Sequence, residues 1–260
     1  MRKNLVIAAV GDESVHPTWL SDARARSFDL ALIYFGDTPD KYREQAEHYF
    51  PRKGIKFLMI HELAQRELAD VLPRYDYVWL PDDDIAGDTA AVNRLFAIAA
   101  ERRLAICQPG IGAGDVSFRS LRADPRYLLR YSPFVEIMCP LFSRAALARV
   151  LPTFNANVSA WGIDWLWASM FHSRELAVID AAPMAHTRPL QTGGVHGRLA
   201  KLGVNPGQEH RDLLRVHGLN VHRQHKQALR NTGRLRGVRV DGQEVWTRSW
   251  LATLLRRKAA

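Results

Sequence analysis

The chain has little cysteine, no long apolar run, no internal repeat and no low-complexity tract. Each shortage excludes something. Only Cys107 and Cys139 are present, each inside an apolar stretch. Two cysteines so far apart make neither a zinc motif nor a disulfide framework, and they read as buried free thiols in a reducing compartment. No apolar stretch approaches the ~18 residues of a membrane-spanning helix. The start, MRKNLVIAAVG, has the outline of a secretory leader. Its apolar part is short, runs into Asp12 and Glu13 and lacks a cleavage site, so we read it as a first β-strand. Acidic residues are scarce at one end. From Arg188 onward there are 15 Lys/Arg against 4 Asp/Glu, a charge of +11, whereas the rest holds 21 against 23, or −2. The net +9 therefore belongs to the C-terminal segment, which suits an acidic membrane surface, an anionic acceptor or nucleic acid, or is simply a solvated tail.

What is there is ordinary in bulk: 260 residues, 47% hydrophobic and 24% charged, enough for one large domain or a domain with an appendage. Strand-like and helix-like patterns alternate through the first hundred residues. NLVIAAVG (4–11), FDLALIYFGD (28–37), IKFLMI (55–60), YDYVWL (75–80) and LAICQP (104–109) read as strands. Residues 39–50, 62–72 and 89–103 read as helices, the last capped by Asp88 or Thr89 with Val92, Leu95, Phe96 and Ala99 on one face. This alternation predicts an α/β fold with a mostly parallel sheet flanked by helices. Further on, PFVEIMCPLF (133–142) and LAVIDAAPMAH (176–186) read as strands, 143–151 as a helix capped by Ser143, and SAWGIDWLWASMF (159–171) as a turn entering a helix. Residues 195–260 are helix-prone and basic.

Ligands of such sheets collect at the carboxyl ends of the strands. Gly11-Asp12, Gly36-Asp37 and the triplet Asp82-Asp83-Asp84 all fall at predicted strand ends. Three adjacent carboxylates disfavour one another's ionisation. On an extended backbone Asp82 and Asp84 would share a side, where two carboxylates can engage Mg²⁺ or Mn²⁺ and leave positions open for phosphate oxygens. The blander reading is an acidic turn before a helix. Asp164 opens an apolar, Trp-rich stretch; a carboxylate beside indoles is partly desolvated and suits a general base, unless it merely caps a helix over core tryptophans. His186 ends an apolar strand, where a neutral imidazole can complete a metal site, and Arg188 with the loop glycines can meet phosphate. Glu136 interrupts an apolar stretch and must either face the cleft or pair with an arginine. His210, His217, His222 and His225 lack accompanying carboxylates and read as a solvated face.

GDESVHPTWL, FDLALIYFGD, YDYVWLPDDDI, FVEIMCPLFSR, WGIDWLW and VIDAAPMAHTRPLQTGG, in this order, resemble the DUF707 family, which is similar to GT-A glycosyltransferases. The resemblance spans roughly residues 4 to 194. It implies a Rossmann-like, GT-A-like fold with a catalytic domain at 1–194, and the basic, helix-prone residues 195–260 are expected to form an extension packing on or near that domain. It matches the aspartate triplet to the DxD element, with Asp84 on the metal and Asp82 near the metal or the donor's ribose. It places Asp164 as catalytic base, with Ile163 where those enzymes often carry Glu. His186 becomes the third metal ligand, and Gly11 and Asp12, with Asp37, Asp83 and Arg188, become candidates for holding the nucleotide. The expected activity is transfer of a sugar, with inversion, from a nucleotide-diphosphate sugar to a saccharide or glycolipid acceptor, with Mn²⁺ or Mg²⁺, in bacterial surface-glycan synthesis. The expected setting is cytoplasmic, with the basic end (Trp246, Trp250, Leu251, Leu254 and Leu255 beside Arg256, Arg257 and Lys258) resting on the inner face of the membrane, and no nucleic acid bound. The rival readings are a phosphohydrolase with Asp82 as nucleophile and a non-catalytic nucleic-acid-binding protein.

Overall fold

Period-two burial explains the centre of the molecule. In β1 (Asn4–Val10), Val6, Ala8 and Val10 join one apolar cluster while Leu5, Ile7 and Ala9 join another. β2 (Phe28–Tyr34) divides the same way, with Leu30, Leu32 and Tyr34 on one side and Ala31 and Ile33 on the other. Strands that are apolar on both faces need cover on both faces. α2 (Thr89–Glu101) covers the first side, and α1 (Lys56–Gln65), α3 (Arg144–Val150) and α4 (Ile163–Met170) cover the second. The structure is a computed structural model that describes residues 2–190, 194–219 and 236–247.

Among the described residues, all eleven strands join one sheet. β3 (His48–Pro51), β2, β1 and β4 (Tyr77–Trp79) lie side by side and parallel. β8 (Leu141–Ser143) runs against both β4 and β6 (Ile106–Ala113), and β9 (Leu176–His186) is parallel to β6. Two reversals restore the direction, so β6 and β9 point the same way as β1 and β4. The central sheet is therefore mostly parallel, with β8 reversed inside it, and the carboxyl ends of β1, β4, β6 and β9 gather at one edge. β5 (Ile85–Ala86) turns back there and pairs with the end of β9. β7 (Tyr127–Tyr131) flanks β9 on its other side, and the hairpin of β10 (Arg236–Arg239) and β11 (Glu244–Trp246) extends the sheet beyond β7.

Several local expectations hold. Asp88 caps α2, its carboxylate accepting from the Ala91 N–H at 2.7 Å, and Ser143 caps α3 at 3.2 Å from the Ala146 N–H. Both cysteines are free and buried. Others are corrected. IKFLMI is the start of α1, not a strand. Residues 39–50 hold only a 3-10 turn at Arg43–Gln45 before β3, because Tyr49 stacks on Tyr34 and draws the chain into the sheet. Of 133–142, only Leu141 and Phe142 are strand. In the C-terminal segment α5 (Gly194–Lys201) and α6 (Pro206–Val216) are helical, but 236–246 forms the edge hairpin, with Val238 buried beside β7. Trp246 belongs to β11 and is 54% exposed; Trp250 and the residues after it in the expected interfacial helix lie outside the described residues. Among the described residues no helix is long and apolar enough to cross a membrane.

Candidate active site

The aspartate triplet is not extended. The Ile85 N–H donates to the Asp82 carbonyl at 3.3 Å, closing a turn that lets β5 reverse onto β9. The alternation expected for Asp82, Asp83 and Asp84 is thereby replaced by three separate directions. Asp82 accepts from Lys56 Nζ at 2.7 Å, and the same ammonium donates to the carbonyls of Ile137 and Met138. Asp83 accepts from the Gly11 N–H at 2.9 Å and from Arg188 Nη1 at 2.7 Å. Asp84 faces His186, whose Nε2 lies 3.4 Å from its Oδ2.

β-pairing explains this last meeting. Ile85 is the partner of His186, and the Thr187 N–H and hydroxyl both donate to the Asp84 carbonyl at 2.9 Å. His186 Nδ1 sits 3.1 Å from the Asp115 carbonyl, which can only accept, so Nδ1 carries a proton. In the neutral ring Nε2 then presents a lone pair to a carboxylate, an arrangement that calls for a proton or a cation between them. The neighbouring Asp84 indeed raises the imidazole's pKa. Asp84 Oδ1 is buried without a hydrogen-bond partner. Burial raises the pKa of Asp82, Lys56 opposes that shift, and the charges of Asp84 and Asp83 add to it. Among the described residues, no group of three or more His, Cys, Asp or Glu side chains is gathered as a ready metal cage.

The second part of the site is built by α4 and the loop before β8. Gly162 takes a left-handed turn (φ 93°) at the start of α4, following Ala160 at φ 63°. Asp164 in the first turn is 6% exposed and accepts from the N–H groups of Trp165 and Ile137. Burial, with the charge of Glu136, pushes its carboxyl up to about 7. Glu136 is 8% exposed; burial raises its pKa, the Ser117 hydroxyl opposes this, Asp82 adds to the rise and His186 opposes it. Among the described residues no arginine pairs with it, and its Oε2 has no hydrogen-bond partner. Trp165 and Trp167 are core residues, packed on Phe134 and on Phe57, Phe142 and Phe154; Trp161 is half-buried.

The structure thus brings Gly11, Asp82, Asp83, Asp84, His186 and Arg188 together, with Glu136 and Asp164 beside them. It does not bring the other two carboxylates in. Asp12 accepts from the Tyr34 hydroxyl and the Asp37 N–H, which hold its pKa below the usual range, and its carbonyl accepts from Tyr42. Asp37 points outward, 87% exposed, onto Lys53. Of the late histidines, His210 is half-buried against Gly162, while His222 and His225 lie outside the described residues, as does Gly193. Sequence reasoning missed Lys56 and Gln108. Lys56 was hidden by the strand reading of its segment. Gln108 is a fully buried amide in an otherwise apolar strand, which was the available signal.

No protein-family model matches the chain, and no curated protein matches it. Among solved structures, the chain is similar to S. aureus TarS 1–349, at TM-score 0.47 and 11% identity, over 71% of this chain and 59% of that one. The chain thus spans 59% of the length of that structure, and at this TM-score the likeness carries no functional argument.

Proposed function

We propose that this protein is a glycosyltransferase of GT-A type that uses a nucleotide-diphosphate sugar and a divalent cation. The support comes from the side chains. The carrying observation is Asp84 beside His186 at the carboxyl edge of the sheet, with one Asp84 oxygen buried and unpartnered. Asp84 and the Nε2 of His186 suit a hard cation, whose remaining positions fall to water and diphosphate oxygens. Asp82 joins such a set only by leaving Lys56. When bound, the cation would neutralise charge on the departing diphosphate. Lys56 and Arg188, on either side of the triplet, add positive charge for the same anion, and Gly11, fixed by Asp83, lies where a nucleotide would approach β1.

Asp164 would take the proton of an acceptor hydroxyl. The hydroxyl oxygen forms a bond to the anomeric carbon as the bond from that carbon to the diphosphate oxygen breaks. A side-chain base supplied by the protein favours inversion. The acceptor is read as a saccharide or glycolipid, reached from a cytoplasmic position at the membrane's inner face. Purified protein with Mn²⁺ and a panel of nucleotide sugars should transfer or hydrolyse one of them. Asp84→Asn should weaken Mn²⁺ binding at least ~10-fold, the loss typical even of outer-shell partners; full turnover in that variant rejects the metal assignment.

A further inference from the structure

Beside the metal ligands and the base lies a polar pair that neither role uses. Gln108 on β6 is fully buried. Its Oε1 accepts from the Glu136 N–H at 2.7 Å, which fixes which way the amide points. Its Nε2 has no hydrogen-bond partner, and neither has Oε2 of Glu136. A buried amide donor and a buried carboxylate acceptor left open each carry the desolvation cost of an unmade hydrogen bond. Native interiors rarely leave such groups open without an occupant. The complementary occupant both accepts a hydrogen bond from an amide and donates one to a carboxylate. A hydroxyl does both; a phosphate oxygen only accepts and is repelled by Glu136.

Geometry places the pair next to both ends of the reaction. The carbonyl of Ile137, next in the chain to Glu136, accepts from Lys56, which also holds Asp82, and the Ile137 N–H donates to Asp164. The pair therefore adjoins both the aspartate triplet and the base.

We propose that Gln108 and Glu136 form a subsite for one hydroxyl of a sugar, the amide donating to it and the carboxylate accepting from it. The inference rests on the glycosyl-transfer reading only for the identity of the ligand. The sugar is either the one transferred or the acceptor, and the two are separable.

The test follows the side-chain amide of Gln108 by ¹⁵N NMR of the full chain, its signal assigned by its loss in Gln108→Glu. UDP with Mg²⁺, which is diamagnetic, should move the His186 ring signals and leave the Gln108 amide in place. UDP-glucose, UDP-galactose or UDP-N-acetylglucosamine with Mg²⁺ should move it if the hydroxyl is the donor's. Free glucose, galactose or N-acetylglucosamine, titrated onto the UDP–Mg²⁺ complex, should move it if the hydroxyl is the acceptor's. Glu136→Gln, which keeps shape and reverses one hydrogen bond, should weaken sugar binding ~10-fold more than it changes UDP–Mg²⁺ affinity measured in the same variant. A Gln108 amide unmoved by every sugar overturns the subsite, the pair then holding only an internal water. If UDP–Mg²⁺ moves nothing at His186, the glycosyl-transfer reading fails, and the free monosaccharide titration alone decides the subsite.

Discussion

Asp164 combines two properties rarely found in one carboxylate: near-complete burial and two backbone N–H donors. The donors favour the charged form, while burial and the charge of Glu136 disfavour it more strongly, and the carboxyl rises to about 7. If it is the base, kcat/KM should climb about tenfold per pH unit below about 7 and flatten above it, because only the ionised form accepts a proton. Stability should move the other way. A folded-state pKa above the unfolded value contributes stability fully present below the unfolded pKa and lost as pH rises through the folded one. Asp164→Asn keeps the oxygen that accepts from Trp165 and removes the titration. Its stability relative to wild type, measured by denaturant unfolding, should therefore improve steadily from about pH 4 to about pH 7 and stay level above, by up to a few kcal/mol. A difference independent of pH would mean that Asp164 ionises normally in the fold.

Elements differ in how plainly the sequence announces them. β9 was legible to the residue, because its mostly apolar run ends on a histidine, with only Asp180, paired with Arg130, and Pro183 breaking it. α2 was legible through its apolar stripe and its Asp88 cap. IKFLMI was not, since six residues apolar at nearly every position fit a strand as well as a buried helix; the helix is evident only when Leu63 and Ala64 join Phe57 and Ile60 on the packed face. The triplet, His186 and Asp164 could be picked out as candidates, but their meeting depends on β5 reversing onto β9, a non-local pairing of two residues that no local pattern encodes. The end of β6 secures that pairing. Gly114 has φ 80°, and a Cβ there would lie 1.8 Å from the His186 carbonyl oxygen. Gly114→Ala should push the end of β9 away and weaken Mn²⁺ binding at least ~10-fold, with far-UV circular dichroism unchanged. Gly112→Ala, whose Cβ would meet Pro183 at 3.3 Å and the Met184 carbonyl at an ordinary 3.7 Å, is the control and should bind nearly as wild type. Equal binding by both variants would show that the position of His186 does not control the ion.

At the scale of the whole molecule, the question is whether the basic C-terminal segment is an appendage or part of the fold. Its charge marks it off, and a boundary at residue 194 follows from the sequence. Packing argues that the boundary separates no folding unit. Leu199 on α5 and Leu213 and Leu214 on α6 are buried, Leu213 within the cluster shared by α1, α3 and α4, and Val238 is buried in β10, paired with Leu129 of β7. Arg198 donates to the Gly54 carbonyl and its guanidinium faces the Phe35 ring, which ties α5 to the sheet's functional edge. His210 and Leu213 lie against Gly162, directly behind the turn that delivers Asp164. Each buried leucine contributes about 1.5–3 kcal/mol, against a total domain stability of about 5–15 kcal/mol. A chain ending at Gly194 should therefore melt without a cooperative transition or aggregate, whereas the full chain should melt in one step. Calorimetry of the two decides it: a shortened chain that unfolds cooperatively near the full-length temperature would make the basic segment a true appendage and detach it from the support of Asp164.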